Sequence, residues 1–203
     1  MRLGAMVPLM ERDSIYKETV EALKEAGAHI VEFSPPIDIH LENFITLLNI
    51  DMKHDLPTYL EIHSNPNLVS VKSIADIVDF NKSDSLIRIP YGQALFEGII
   101  ADSTTTGELD HIKLDLEECG RTFFDTAMDA HDLDAILSIN NYHAGYAAVA
   151  KYPALTIPMG YKPSGEPISL TFIGEPFSEA HLLRMGKTFE NTFPIRKMPK
   201  DYQ

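Results

Sequence analysis

The side chains best suited to bind a small polar molecule lie in one short run that directly follows an apolar, strand-like segment. Ser138, Asn140, Asn141 and His143 offer hydroxyl, amide and imidazole groups, which both donate and accept hydrogen bonds. Ligands of open α/β sheets bind outside the carboxyl ends of the strands. We therefore predict that these four residues bind substrate, with a structural turn built by the asparagines as the alternative.

His143 is also of the right type to act as a general base near neutral pH. A histidine without an obvious partner in the sequence is more often structural, so both roles stay open for it. His29 and His181 lie within a strand pattern and a helix pattern, and we expect them to be structural.

A third group of chemically capable side chains lies on one predicted helix. Asp51, His54 and Asp55 share a helical face, with His63 nearby in the sequence, and such a face could bind a metal. A metal-dependent hydrolase is therefore a weaker hypothesis. These residues lack a closed set of four ligands, so we expect a solvated or hydrogen-bonded helix face, no metal and no other cofactor.

Composition narrows the class of protein. The 203 residues carry 17 basic and 30 acidic side chains, a net charge of −13, which argues against a nucleic-acid partner and against an anionic membrane surface. Apolar residues make up 44%, enough for a sizeable core. The one cysteine, Cys119, excludes an intrachain disulfide, and no signal peptide or membrane span is evident. We expect a cytoplasmic protein.

The hydrophobic periodicity predicts the elements that must position these residues. A strand, a helix and a second strand open the chain and indicate a parallel βαβ unit. Three later strands include a hairpin through a Pro- and Gly-rich turn. We predict one α/β domain over residues 1–203, with a mixed β-sheet and helices on both faces. The predicted strands cover 2–8, 29–33, 133–139, 154–158 and 168–173, and the predicted helices 13–26, 38–55, 74–80, 91–100, 107–131 and 178–191.

The succession of motifs after residue 132 is more specific. An Asp-Ala strand, a Tyr-Pro-Ala-Leu-Thr strand, a Gly-x-Pro turn, a Phe-x-Gly strand and a Glu-x-x-Leu-Leu helix resemble the closing segment of the amidase signature family. In this chain they read Leu133-Asp134-Ala135-Ile136-Leu137, Tyr152-Pro153-Ala154-Leu155-Thr156-Ile157-Pro158-Met159-Gly160, Gly165-Glu166-Pro167, Phe172-Ile173-Gly174 and Glu179-Ala180-His181-Leu182-Leu183. Looser similarity to bacterial and peptide-amidase-like members extends over nearly the whole chain.

The resemblance implies the C-terminal part of an amidase-signature fold and, for the parent activity, hydrolysis of a carboxamide. It also implies that the region around Ser138 to His143 borders the substrate cleft. The family uses a nucleophilic Ser, a Ser joined through a cis peptide and a Lys, all within a Gly/Ser-rich stretch. No such stretch occurs here, and the Ser164-Gly165 pair belongs to the predicted hairpin turn. We therefore assign no catalytic residue.

Two interpretations follow from this departure. The first is a truncated or split amidase that is inactive alone and either binds a separately encoded N-terminal half or self-associates. The alternative is a non-catalytic binding or interaction module. The resemblance implies a sheet that continues into the missing half, so we expect exposed apolar surface at a sheet edge or face. Ile136-Leu137 and the run from Leu170 to Ile173 are expected to be covered on both faces.

Overall fold

The computed structural model describes residues 1–36 and 39–198. Its chain divides into two compact units, the first formed by Met1–Leu41 with Leu116–Gln203 and the second by Glu42–Asp115. The prediction of one domain over residues 1–203 stays a prediction, because a division by contacts does not show whether the units unfold together. No helix in the described part of the chain combines the length and apolar composition that a bilayer crossing requires.

The first unit is built on a five-stranded sheet in the order β2-β1-β3-β5-β4. β1 pairs in parallel with both β2 and β3, whereas β5 runs antiparallel to β3 and β4. The predicted mixed sheet is therefore confirmed. Its strands are β1 (Arg2–Met6), β2 (His29–Phe33), β3 (Ala135–Ile139), β4 (Ala154–Tyr161) and β5 (Pro167–Ile173).

Helices supply the rest of the regular structure in the described residues. Their starts follow local chemistry: the Asp13 carboxylate accepts a hydrogen bond from the Tyr16 amide, and the Ser73 hydroxyl accepts one from the Asp76 amide. The helices are α1 (Val7–Arg12), α2 (Ser14–Glu25), α3 (Phe44–His63), α4 (Ile74–Lys82), α5 (Ser85–Arg88), α6 (Ala94–Ala101), α7 (Thr106–His131), α8 (Ala144–Ala150) and α9 (Glu179–Thr192).

Four helices differ from the sequence prediction. The helix predicted over 38–55, which would begin at a residue outside the described ranges, runs from Phe44 through Pro57 to His63. A proline removes one backbone hydrogen bond from a helix. Leu56, next to it, packs against the buried cluster of the second unit, and this packing helps to offset that loss. The short helices α1, α5 and α8 were not predicted, and α1 begins directly after β1.

The central strands carry the core of the first unit. All five residues of β3 are buried, and Leu170 to Ile173 of β5 are at most 5% exposed. Burial of successive residues means that side chains on both faces of the sheet are covered, because they alternate between the faces. The prediction that Ile136-Leu137 and the run from Leu170 to Ile173 are covered on both faces is confirmed.

Tyr16 of α2 links two strands through its hydroxyl group. The side chain is fully buried, its hydroxyl donates to the Leu137 carbonyl at 3.0 Å, and it accepts from the Met6 amide at 3.4 Å. Burial raises the pKa of Tyr16, so the phenol keeps its proton and remains a donor.

We expect Tyr16→Phe to lower the free energy of unfolding by about 1–3 kcal/mol, because it leaves a buried carbonyl without this partner. Urea denaturation followed by circular dichroism measures the change. Tyr91→Phe is the matched control, since Tyr91 is fully exposed and its loss of a hydroxyl should change stability little. Equal stabilities of the two variants would contradict this role of the Tyr16 hydroxyl.

The second unit contains α3 to α6 and the beginning of α7, and every one of its residues is described. Its core cluster is small: Ile74, Val78 and Ile99, with Leu56 and Phe96 packed against it. Polar contacts add to this cluster, since the Lys53 ammonium donates to the Asp102 carbonyl at 2.8 Å and Lys113 pairs with Asp51 at 2.8 Å.

Candidate functional site

The carboxyl ends of four strands meet at one edge of the sheet. β1, β2, β3 and β4 run in the same direction, because β5 is antiparallel to both of the strands it joins. The predicted polar run begins within β3 and leads from its carboxyl end into α8. The sequence prediction therefore placed these residues at the edge of the sheet where ligands of α/β folds bind.

Ser138 and His143 lie together. The Ser138 hydroxyl is 2.6 Å from Nδ1 of His143, and Ser138 is fully buried within β3. His143 is the residue that precedes α8, and its ring stacks on Phe123 of α7 with the ring centroids 5.3 Å apart. The hydrogen bond and the stacking fix the imidazole in one orientation.

The His143 ring is neutral at physiological pH. Burial lowers the pKa of His143, since the partly dry surroundings disfavour the imidazolium. Nε2 makes no hydrogen bond within the described part of the chain. It can donate or accept one hydrogen bond, depending on the tautomer.

Asn140 has a structural role. Its backbone is in the left-handed region at φ 46°, and its amide N–H donates to the Ser169 carbonyl at 2.9 Å. Its side-chain oxygen accepts from the Ser169 amide at 2.8 Å, and its carbonyl accepts from the Thr171 hydroxyl. These bonds extend the pairing of β3 with β5 by one residue, which favours the structural-turn alternative for Asn140.

Asn141 lies beyond the strand and is exposed. Its carbonyl accepts from the Ala144 amide at 3.0 Å, while its side chain makes no hydrogen bond within the described ranges. A substrate-binding role for Asn141, as for Ser138, Asn140 and His143, stays a prediction.

Sequence reasoning missed a cation at this edge. Arg12, at the end of α1, lies with its guanidinium carbon 5.6 Å from the centre of the Tyr142 ring, and Tyr142 is 47% exposed. The sequence did contain a signal for it. Arg12 follows β1 closely, and β1 is the parallel neighbour of β3, so both strands end at the same edge of the sheet. Arg12 and Tyr142 thus add a positive charge and an aromatic face to the same edge.

The helix face proposed as a metal site has another arrangement. Among the described residues, no set of three His, Cys, Asp or Glu side chains is placed to hold a metal ion. The Asp51 carboxylate pairs with Lys113, while His54 and Asp55 are exposed. The geometry does not support the metal-dependent hydrolase, and the expectation that no metal copurifies stays a prediction.

Stability should depend on pH through His143. The unfolded chain takes up a proton on this histidine near pH 6.5, whereas the native state takes it up at lower pH. The contribution of His143 to the free energy of unfolding is therefore complete above about pH 6.5 and is lost as the pH falls through the native pKa, with a slope of at most about 1.4 kcal/mol per pH unit. Denaturation measured at pH 7 and at pH 5 gives the stability lost between these two values. We expect this loss to be smaller in His143→Asn than in the unsubstituted chain.

The matched control for this prediction is His54→Asn, because the His54 side chain is exposed. It should lose as much stability between pH 7 and pH 5 as the unsubstituted chain does. A loss in His143→Asn as large as that in the control would show that the native state does not hold His143 neutral.

Known proteins resemble this chain in sequence and in fold. No family model matches the chain. A probable amidase of Arabidopsis thaliana is 28% identical over 98% of this chain and 39% of its own length. The crystal structure of an amidase family protein from Bacillus anthracis superposes with a TM-score of 0.85 at 30% identity, over 98% of this chain and 39% of that one. Peptide amidase from Stenotrophomonas maltophilia gives a TM-score of 0.84 at 27% identity, over 98% and 44%.

The chain thus spans about two fifths of the length of these relatives. The sequence comparison and the structural comparison both match amidases over 98% of this chain. The motifs after residue 132 resemble the same family. The chain is therefore a homologue of the amidases of the amidase signature family and corresponds to the C-terminal portion of their fold.

Proposed function

We propose that this chain is the substrate-binding portion of an amide hydrolase and that the nucleophile is supplied by a polypeptide carrying the Gly/Ser-rich motif of the family. The observation that carries the proposal is the match to amidases over 98% of the chain, at a TM-score of 0.85. The single cysteine supports a reducing, cytoplasmic location for it.

The carboxyl edge of the sheet suits a carboxamide. A carboxamide offers one carbonyl acceptor and an N–H donor, and Nε2 of His143 complements either group. If the Ser138 hydroxyl donates to Nδ1, Nε2 carries the proton and donates to the substrate carbonyl; in the other tautomer it accepts from the substrate N–H. Asn141 contributes a second donor and acceptor next to it. These residues bind and orient the substrate.

The chain by itself lacks the groups that break the amide bond. Acyl transfer needs an accessible nucleophile with a base beside it and donors aimed at the oxyanion. Ser138 has a base beside it, but it is fully buried in β3 and cannot reach a substrate carbon. The Ser164-Gly165 pair lies in the turn between β4 and β5, where Gly165 has φ 87°, so it belongs to the hairpin and not to a Gly/Ser-rich nucleophile motif.

Reconstitution tests the proposed function. The chain is mixed with a separately produced polypeptide that carries the Gly/Ser-rich motif, and ammonia release is followed on aliphatic, aryl and peptide amides. We expect hydrolysis only in the mixture, with kcat/KM lowered about tenfold or more by His143→Ala, the loss of one substrate hydrogen bond. A bound complex that hydrolyses none of these amides would contradict the proposal.

A non-catalytic binding module is the second candidate. It is favoured by the absence of a Gly/Ser-rich stretch from these 203 residues, because binding at the His143 edge needs no nucleophile. Calorimetric titration of the chain with the same amides separates the two functions. Binding that His143→Ala abolishes, without hydrolysis in the reconstituted mixture, would favour the module.

A further inference from the structure

Five apolar side chains lie along one exposed face of α3. Residues spaced alternately by three and four positions occupy one side of a helix. The five side chains follow this spacing from position 45 to position 62, and only position 55 of the series is not apolar. The face is about 26 Å long at 1.5 Å per residue. We call it the α3 stripe: Ile45 (60% exposed), Leu48 (50%), Met52 (44%), Tyr59 (60%) and Ile62 (66%).

The stripe belongs to a unit that exposes more large apolar side chains than it buries. The second unit buries five hydrophobic residues, namely Ile50, Ile74, Val78, Ile99 and Leu109. It exposes thirteen large ones: the α3 stripe together with Leu68, Phe80, Leu86, Ile87, Tyr91, Leu95, Ile100 and Leu114. Large exposed apolar patches on soluble proteins mark sites of interaction.

The first unit has the opposite balance. Among its described residues, the exposed large hydrophobic side chains are only Met1, Tyr142, Phe177, Leu183 and Met198. Its central strands are covered on both faces. The exposed large apolar side chains are therefore concentrated on the helical unit.

We propose that the α3 stripe is the docking surface for a second polypeptide, the one that carries the Gly/Ser-rich portion of the amidase fold. This inference rests on the proposed function. In the relatives, more than half of the polypeptide lies outside the part that matches this chain, which spans 39–44% of their length. That additional polypeptide is the occupant we propose for the stripe.

A charge within the stripe specifies the partner further. Asp55 occupies the omitted position between Met52 and Tyr59, its side chain is exposed, and no cation of the described residues forms an ion pair with it. A carboxylate covered by an apolar surface is destabilising unless a cation pairs with it. The docking polypeptide should therefore present apolar side chains along the stripe and one Lys or Arg opposite Asp55.

The same charge argues against a second copy of this chain as the occupant. Two parallel copies of α3 would place Asp55 opposite Asp55. Two antiparallel copies would place each Asp55 opposite Met52, with both carboxylates in the central layers of the contact. Each copy also carries a net charge of −13, so long-range repulsion opposes self-association.

Photocrosslinking in the organism that encodes the chain tests the docking surface. The full chain is produced with p-benzoylphenylalanine in place of Tyr59, and the crosslinked partner is identified by mass spectrometry. The matched control carries the probe at Leu183, which is 62% exposed on α9 of the first unit. We expect the Tyr59 probe, and not the Leu183 probe, to capture a polypeptide that contains the Gly/Ser-rich motif.

Two substitutions of exposed residues sharpen the test. Leu48→Lys removes an apolar contact, and Asp55→Lys places a cation against the cation expected on the partner. Each should lower the crosslinked yield at least tenfold, while circular dichroism and denaturation show an unchanged fold. Capture of a second copy, capture of a protein without the motif, absence of any crosslink, or yields unchanged by both substitutions would overturn the docking proposal.

The docking proposal and the proposed function can fail separately. If the reconstituted mixture hydrolyses amides and the Leu48→Lys and Asp55→Lys chains are equally active in it at limiting partner concentration, the docking surface is wrong and the function stands. If the crosslink forms as expected but the complex hydrolyses no amide, the docking surface stands and the hydrolase function is wrong.

Discussion

The isolated chain is expected to release ammonia from carboxamides no faster than buffer alone. Enzymes accelerate such reactions by about 10⁶-fold or more, and that acceleration depends on a nucleophile, its base and donors to the oxyanion. The chain has no Gly/Ser-rich stretch, and the Ser138 hydroxyl, which lies beside the His143 imidazole, is fully buried. The measurement is ammonia release from aliphatic, aryl and peptide amides by the purified chain over many hours.

Two controls make this result interpretable. Peptide amidase from Stenotrophomonas maltophilia, assayed under the same conditions, shows that the assay detects hydrolysis of its substrates. His143→Ala should leave the background rate of the chain unchanged, because no chemistry of the isolated chain passes through this residue. Turnover that persists through rigorous purification and disappears in His143→Ala would show that a complete catalytic site exists within these residues.

Gly120→Ala is expected to destabilise the first unit by about 3 kcal/mol, at the upper end of the cost of overpacking. Gly120 lies on α7 where this helix packs closely against the backbone of α8 and the Val149 side chain. A Cβ at this position would lie 2.7 Å from the Tyr146 carbonyl oxygen and 2.8 Å from the Ala150 amide nitrogen. Backbone atoms of a packed helix cannot move aside as the end of a flexible side chain can, so α7 and α8 must separate.

The matched control lies on the same helix. Gly107 is exposed near the beginning of α7, and a Cβ there would meet nothing within 4 Å. Gly107→Ala should therefore be neutral or stabilising by up to about 1 kcal/mol, since alanine favours helix more than glycine does. Thermal and urea denaturation of both variants measures the difference. Equal stabilities would mean that the close contact between α7 and α8 is absent in solution.

The sequence did not predict which apolar side chains are exposed. Exposure was expected at an edge or face of the sheet, because the resembled fold continues its sheet into another half. The edge strands β2 and β4 expose no large hydrophobic side chain, whereas Leu48 and Tyr59 are exposed on the helical unit. The periodicity of a helix shows which residues share a face, but not whether another element covers that face.

The sequence by itself determined the mixed sheet, its hairpin of β4 and β5, and the family, because these follow from local periodicity, turn residues and a long succession of motifs. It also placed Ser138 and His143 near the carboxyl end of a strand. Only the tertiary structure decided that β5 inserts between β3 and β4 and that Asn140 bonds to the sheet. It likewise decided that Ser138 and Phe123 orient His143, because those partners come from separate elements whose approach is set by packing.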